Sequence, residues 1–365
     1  MSKSHYIIPV FVPDLGCPHR CVFCNQKRIT GINDLPSADE VRHKIETYLQ
    51  TMPQKPEITK EVAFYGGSFT AVDPVLQETF LKEAYKFLAD GKINGIRIST
   101  RPDAVSENIM AMLSKYGVDT VELGVQSMDD EVLWQSGRGH SSRDVLRASA
   151  IIKAWGKKLG HQVMVGLPES SESKEIHTAL ELISLQPDFV RIYPCLVLKD
   201  TPLAEMFSKG KYMPLTVEQA VARCKTLLLM FDKAGISVIR IGLQPSEQIN
   251  LTNDVLAGPF HPAFRELVES AVAREMVEYL LRNRVNLKEA KRLEISVPIT
   301  GVSTVRGHKG SNVNYFKKKY GITDYITNPE PGLTPGSIRL TGIDGYKCNY
   351  LIGKKDIPAV RISQN

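Results

Sequence analysis

The sequence predicts an α/β protein built on a parallel sheet, and three observations carry that prediction. Short β-rich runs alternate with amphipathic helical patterns through the first two thirds of the chain. Glycines stand where several helices have to stop. Residues able to do chemistry follow one strand after another. This alternation gives strands joined by crossover helices, as an open sheet or as a partial barrel.

The β-rich runs are Tyr6 to Val12, Val62 to Tyr65, Ile96 to Thr100, Thr120 to Gln126, Gln162 to Val165, Phe189 to Tyr193 and Ser237 to Ile241. Between them lie helical patterns at Ala38 to Met52, Pro74 to Ala89, Glu107 to Tyr116, Arg143 to Lys158, Lys174 to Leu185 and Val217 to Lys233. Gly91, Gly117, Gly160 and Gly235 are expected to end helices, where a residue free to take positive φ is favoured. Both candidate architectures gather their chemistry at the carboxyl ends of the strands. There the sequence places a cysteine cluster after the first run, Gly66-Gly67-Ser68 after the second and Thr100-Arg101-Pro102-Asp103 after the third. Gln126-Ser127, Gly166-Leu167-Pro168 and Tyr193-Pro194-Cys195 follow the next three.

Past Gln244 the alternation ends. Asn250 to Pro259 reads as a loop, and Pro262, at the first helical position, opens a helix over Ala263 to Leu281. A different unit begins near Leu293. The expected organisation is a core over 1–245, a helical connection packed on it over 246–290, and a basic α+β domain over 291–365.

The composition is that of an ordinary globular protein, 42% hydrophobic and 24% charged over 365 residues. No apolar run approaches the ~20 residues that span a bilayer, which argues against a membrane protein. The first ten residues hold only a short apolar stretch broken by Pro9, without the features of a secretory signal, so a cytoplasmic location is expected. The net charge of +6 permits an anionic partner. It is concentrated: from Gly301 to Tyr320 there are Arg306, Lys309, Lys317, Lys318 and Lys319 and no acidic residue.

Three of the six cysteines, Cys17, Cys21 and Cys24, fall within eight residues. In a cytosolic chain such clustering favours metal over disulfide. Three thiolates on one loop can reach three corners of a 4Fe-4S cluster and leave the fourth iron open to a substrate or cofactor. That count favours catalysis over electron carriage. A zinc site, with His19 or His5 as fourth ligand, and three unrelated thiols are the other readings.

The cysteine spacing, with aromatic Phe23 just before the last cysteine, resembles the loop of the radical S-adenosylmethionine superfamily. The resemblance implies a partial (β/α)6 TIM-type barrel. It also implies a 4Fe-4S cluster whose open iron binds the amino and carboxylate groups of S-adenosylmethionine. One electron then cleaves that cofactor to methionine and a 5'-deoxyadenosyl radical, and a donor such as flavodoxin or ferredoxin must supply it. Gly66, Gly67 and Ser68 resemble the glycine-rich segment that meets the methionine ammonium group, although alone they are a tight turn. Thr100 and Arg101 are then candidates for the ribose or the carboxylate, against a solvated arginine. Gln126 and Arg138 are further cofactor contacts, and Gly166 belongs to a backbone platform for the adenine.

Within that superfamily the chain is similar to the radical domain of the Elongator catalytic subunit and its bacterial relatives, over roughly residues 5–245. The segments that carry this are Phe64 to Thr70, Ser99 to Asp103, Glu122 to Ser127, Arg138-Gly139-His140, Met164 to Pro168 and Arg191 to Pro194. Elongator enzymes modify a tRNA uridine and join the radical domain to an acetyltransferase. Here the cysteine loop is shorter than theirs and nothing after 245 resembles an acetyltransferase.

From Glu294 the chain reads strand, short helix, Gly307-His308-Lys309-Gly310, helix, strand. This resembles the core of a KH domain, whose GXXG loop lets a phosphate backbone approach; a small basic domain that completes the fold is the alternative. Lys309 and Lys317, Lys318 and Lys319 would neutralise phosphates. The expected function is a radical enzyme acting on a nucleotide in RNA, and tRNA is the favoured substrate. Tyr193 and Lys199 are the candidates for facing the base. A small substrate such as a porphyrinogen, or a non-catalytic RNA-binding or iron-sulfur carrier protein, are the rivals.

Overall fold

The computed structural model describes residues 5–12, 17, 19–25, 35–243, 254–284 and 290–359. They form two compact units, 1–215 with 244–260, and 216–243 with 261–365. The expected boundary at 245 and the start of the helical connection lie outside the described residues.

In the first unit the large sheet takes six parallel strands in sequence order: β1 (His5–Val12), β2 (Thr59–Gly66), β3 (Gly95–Thr100), β4 (Val118–Gln126), β5 (Lys158–Val165) and β6 (Phe189–Pro194). Crossover helices α1 (Ala38–Thr51), α2 (Pro74–Ala89), α3 (Glu107–Lys115), α4 (Asp130–Gln135), α5 (Ser142–Ala154) and α6 (Glu172–Ser184) join them, and α7 (Pro202–Ser208) follows β6. This is the partial (β/α)6 barrel. Side-chain oxygens cap the helix starts: Ser37 and Ser141 form capping boxes with Glu40 and Asp144, and Asp73 caps a helix with Pro74 in its first turn, satisfying backbone N–H groups that lack helical partners.

Gly91, Gly117 and Gly235 follow helix ends with φ of +67°, +69° and +79°, as expected. Gly160 does not. Helix α5 stops at Ala154 and Gly156 takes the positive φ (+65°), so Gly160 lies inside β5. Its missing side chain has a packing reason, since a Cβ there would stand 2.4 Å from the Phe189 ring. The short helices α4 and α7 have too few turns to leave a periodic signal.

The second unit begins with α8 (Val217–Lys233), β7 (Ser237–Ile241) and α9 (Phe264–Arg284). Pro262 sits in the turn ahead of α9, not at its first position, and α9 belongs to this unit. Next come β8 (Arg292–Val297), α10 (Val302–Arg306), a turn at His308–Gly310, α11 (Ser311–Tyr320) and β9 (Asp324–Pro329). These are the elements expected around the glycine loop. A hairpin, β10 (Ile338–Ile343) and β11 (Tyr346–Ile352), was not expected and completes a sheet of order β9-β8-β10-β11. β8 runs parallel to β9 and antiparallel to β10. Its core holds Leu293, Ile295, Val297, Phe316 and Leu340, each at most 1% exposed.

Candidate active site

The cysteine loop is fastened to the segment after β4 and to α7. Val22 N–H donates to Ser136 O at 3.0 Å, and Leu203 N–H donates to Val22 O at 2.9 Å. His19 lies over Gly139, where a Cβ would stand 2.3 Å from the imidazole. Cys21 is buried, Cys17 and Cys24 are half-buried, and none of the three is in a disulfide. Burial pushes the Cys17 thiol up, opposed by a hydrogen bond from Ser68 N–H and by Arg101 and Arg138. Phe23 packs against the apolar cluster that contains Val132, Leu167, Cys195 and Leu203.

Gly66 takes φ +110°, and a Cβ on it would stand 2.4 Å from Val12 O; Gly67 N–H donates to that same oxygen at 2.8 Å. The glycine pair therefore lets the end of β2 lie directly against the end of β1, where the cysteine loop starts. Ser68 Oγ accepts from Arg101 N–H at 3.1 Å and shares a proton with Thr100 Oγ1 at 2.8 Å. The Thr100 hydroxyl also meets Thr70 Oγ1 at 2.5 Å, so it is held within the protein. Arg101 pairs with Asp103 at 3.0 Å and donates through Nη2 to Arg138 O.

Arg101 Nη1 and Gln126 Oε1 are buried without a protein partner, as are Arg138 Nε and His140 Nδ1. Gln126 ends β4 at φ +67°, a conformation disfavoured for a residue with a side chain. Arg138 donates through Nη1 to Cys21 Sγ at 3.1 Å and through Nη2 to Gly124 O at 2.5 Å. His140 is pushed down to about 3 by burial first and then by Arg138 and Arg101, so its ring is neutral. Gly166 takes φ +77°, with its N–H on Glu175 Oε1 at 2.7 Å and its carbonyl accepting from Tyr212 OH at 2.6 Å. Both its backbone polar groups are spent internally, and Leu215 packs where a side chain would stand, 2.8 Å from a Cβ placed there.

Among the described residues no three His, Cys, Asp or Glu side chains converge on one ion. The fit of the loop to a cluster rests on the chemistry of the donors: three cysteines outside any disulfide on one fastened loop, one already accepting from a guanidinium. The fit to S-adenosylmethionine rests on the unfilled Arg101 donor and Gln126 acceptor.

One polar layer escaped the sequence reading. Glu122, fully buried, binds Arg97 at 2.9 Å and Arg191 at 2.7 Å, and accepts from Gln162 at 3.1 Å and Tyr65 OH at 3.2 Å. Arg97 also binds Glu61 at 2.6 Å. Burial alone would raise Glu61, but His5 and Arg97 outweigh it and hold it at about 2. These residues come from β2 to β6 and share the face opposite Val121, Leu123 and Val125, as the period of 2 requires. The signal was available: polar residues recur at alternate positions of otherwise apolar strands.

Tyr193 is half-buried at the end of β6. Lys199 is half-buried; its N–H donates to Asp254 O at 2.9 Å and its carbonyl accepts from Asn25 Nδ2 of the cysteine loop at 3.3 Å. In the second unit, Gly307 has φ +79° and Gly310 φ +75°, while Lys309 takes φ +50° and is exposed. Nothing lies within 4 Å of a Cβ placed on Gly310. His308 stands 3.6 Å from Glu266. Lys317 and Lys318 are exposed, and Lys319 is engaged with Glu278 at 2.8 Å.

A family model described as the radical SAM superfamily matches residues 12–183, and one described as the Radical_SAM C-terminal domain matches 187–274. The tRNA uridine(34) acetyltransferase of Methanocaldococcus infernus is 31% identical over 253 residues, which are 59% of this chain and 47% of that protein. Elongator complex protein 3 of Homo sapiens is 26% identical over 269 residues, 61% of this chain and 49% of that protein. The chain thus spans about half the length of these relatives. Among solved structures, Elp3 of Methanocaldococcus infernus with residues 1–46 deleted has a TM-score of 0.59 and 22% identity, covering 93% of this chain and 74% of that one.

Proposed function

The chain belongs to the radical S-adenosylmethionine superfamily, whose enzymes use a 4Fe-4S cluster and S-adenosylmethionine, and from that premise we propose that it modifies a nucleotide of tRNA. Cys17, Cys21 and Cys24 hold the cluster. When bound, the cluster supplies the electron that cleaves S-adenosylmethionine, and a small reducing protein such as flavodoxin or ferredoxin delivers it. Arg101 Nη1 and Gln126 Oε1 bind the polar groups of the cofactor, and the backbone at Gly66, Gly67 and Gly166 lies alongside it. Phe23 closes the apolar side of the loop. Tyr193 and Lys199 face the nucleotide, which leaves its stack to reach them.

The observation that carries the RNA substrate is the open turn at 307–310. Gly310 has no neighbour where a side chain would be, Lys309 is exposed, and Lys317 and Lys318 stand free on the next helix. Such a turn admits a phosphate backbone with lysines on its flank. The matched relatives named as tRNA uridine(34) acetyltransferases agree with this reading. Their acetyl transfer is not carried over to this chain.

The test is nucleoside mass spectrometry of total RNA from a strain lacking the protein beside its parent. Loss of one modified nucleoside is expected. An unchanged profile, with S-adenosylmethionine cleavage intact in the purified protein, would sink the RNA reading in favour of a small-molecule substrate.

A further inference from the structure

The Arg138 side chain is oriented toward the cysteine loop. Its Nη1 donates to Cys21 Sγ at 3.1 Å, and its Nη2 to the Gly124 carbonyl at 2.5 Å. The residue is 7% exposed. Gly124 makes this approach possible, because a Cβ there would stand 3.3 Å from Nη2 and 3.1 Å from Gln126 Nε2. The backbone is fixed as well: Arg138 N–H donates to Leu133 O at 3.0 Å, and Arg138 O receives the Arg101 guanidinium.

What the guanidinium lacks is a carboxylate. Arg101 next to it has Asp103, and Arg97 and Arg191 have Glu61 and Glu122. Among the described residues no Asp or Glu pairs with Arg138; its hydrogen-bond partners are a sulfur and a neutral carbonyl, and Nε is unpartnered. A buried positive charge without a counter-ion is costly. A cysteine that ligates iron is a thiolate, which supplies the missing negative charge.

We infer that Arg138 is a positioning and tuning residue for the cluster: its guanidinium is the counter-ion and hydrogen-bond donor of the Cys21 thiolate and raises the cluster's reduction potential. This rests on the reading that Cys17, Cys21 and Cys24 hold a cluster, and it gives Arg138 a role other than contact with S-adenosylmethionine. The reduced cluster carries one more negative charge than the oxidised one. A fixed cation and an N–H donor beside a ligand sulfur therefore favour the reduced form.

The experiment is an EPR-monitored redox titration of the anaerobically reconstituted full chain without S-adenosylmethionine, with iron and sulfide assayed on the same samples. At the potential where half of the parent cluster is reduced, Arg138→Gln is expected to show a roughly tenfold lower ratio of reduced to oxidised cluster, about 59 mV for one electron. Arg138→Lys, which keeps the charge, should fall between the two. Fully loaded Arg138→Gln titrating with the parent would overturn the inference. Pulsed EPR of the parent protein carrying 15N-arginine gives a second reading that needs no variant to assemble: a 15N coupling to the reduced cluster is expected, and its absence overturns the role of Arg138. A parent protein that takes up no iron and sulfide would instead defeat the underlying cluster reading.

Discussion

His19 of the cysteine loop lies face to face with Gly139, and a single methyl at 139 would stand 2.3 Å from its ring. The loop therefore seats on a bare stretch of backbone, beside the arginine that donates to Cys21. Gly139→Ala should unseat it. Gly156→Ala is the control, with a similar φ of +65° and nothing within 4 Å of its Cβ. Both variants meet the strain of a side chain at positive φ, about 1 to 2 kcal/mol, visible as a similar fall in Tm. Only Gly139→Ala should also lose most of its iron and sulfide after reconstitution. Equal iron in the two would show that the contact does not matter.

Glu122 on β4 sits between two arginines, Arg97 on β3 and Arg191 on β6. Removing it leaves Arg97 with Glu61 and leaves buried Arg191 with no carboxylate partner among the described residues. Breaking such a buried set by deleting one partner costs about 3 to 5 kcal/mol. Glu122→Ala should thus lower the urea midpoint sharply. Replacing the exposed Glu131, which pairs with Lys174, should change stability by less than about 1 kcal/mol. Similar midpoints for the two variants would mean that water reaches the barrel interior and screens the charges.

How far the sequence foretold this molecule depends on which force fixes each part. Strands β1 to β6 and the long helices were legible, because burial against a sheet imposes apolar periods that survive in sequence. The cysteine loop stood out because three cysteines within eight residues are what an iron-sulfur cluster takes in type and spacing. Gly160 was misread as a helix stop, since its reason for being glycine is the Phe189 ring of a neighbouring strand, a contact 29 residues away. Arg138 was singled out, but its target was not; only the fold brings residue 138 to Cys21. The hairpin β10–β11 was missed because β11 is an edge strand exposed on both faces and has no clean alternation to read.

Glu278 should make the second unit sensitive to acid. Burial, the largest single effect, raises its carboxyl, but hydrogen bonds from Lys319, Tyr315 and Tyr320 together outweigh it and hold the group at about 2. A carboxylate held below its unfolded value of about 4.3 stabilises the native state above that pH. The contribution is lost as pH falls from about 4.3 through about 2. The stability gap between the parent and Glu278→Gln, on the order of 2 kcal/mol at pH 7, should therefore narrow steadily over that window. A gap that stays constant down to pH 2 would show that the variant acts through packing instead.

The same ion pair predicts unequal roles for three consecutive lysines. Lys317 and Lys318 project into solvent, whereas Lys319 is held by Glu278 and Tyr315. Each lysine that neutralises a phosphate releases a counterion and steepens the salt dependence of RNA binding by close to one unit of log Kd per log salt. Lys317→Ala and Lys318→Ala should each flatten that slope for tRNA by about one unit, with little change in Tm. Lys319→Ala should do the reverse, lowering Tm through the loss of Glu278's partner while leaving most of the slope intact. Fluorescence-anisotropy titrations at several salt concentrations, run beside thermal melts, separate the two behaviours. Identical slopes for all three variants and the parent would remove this helix from the RNA-binding surface.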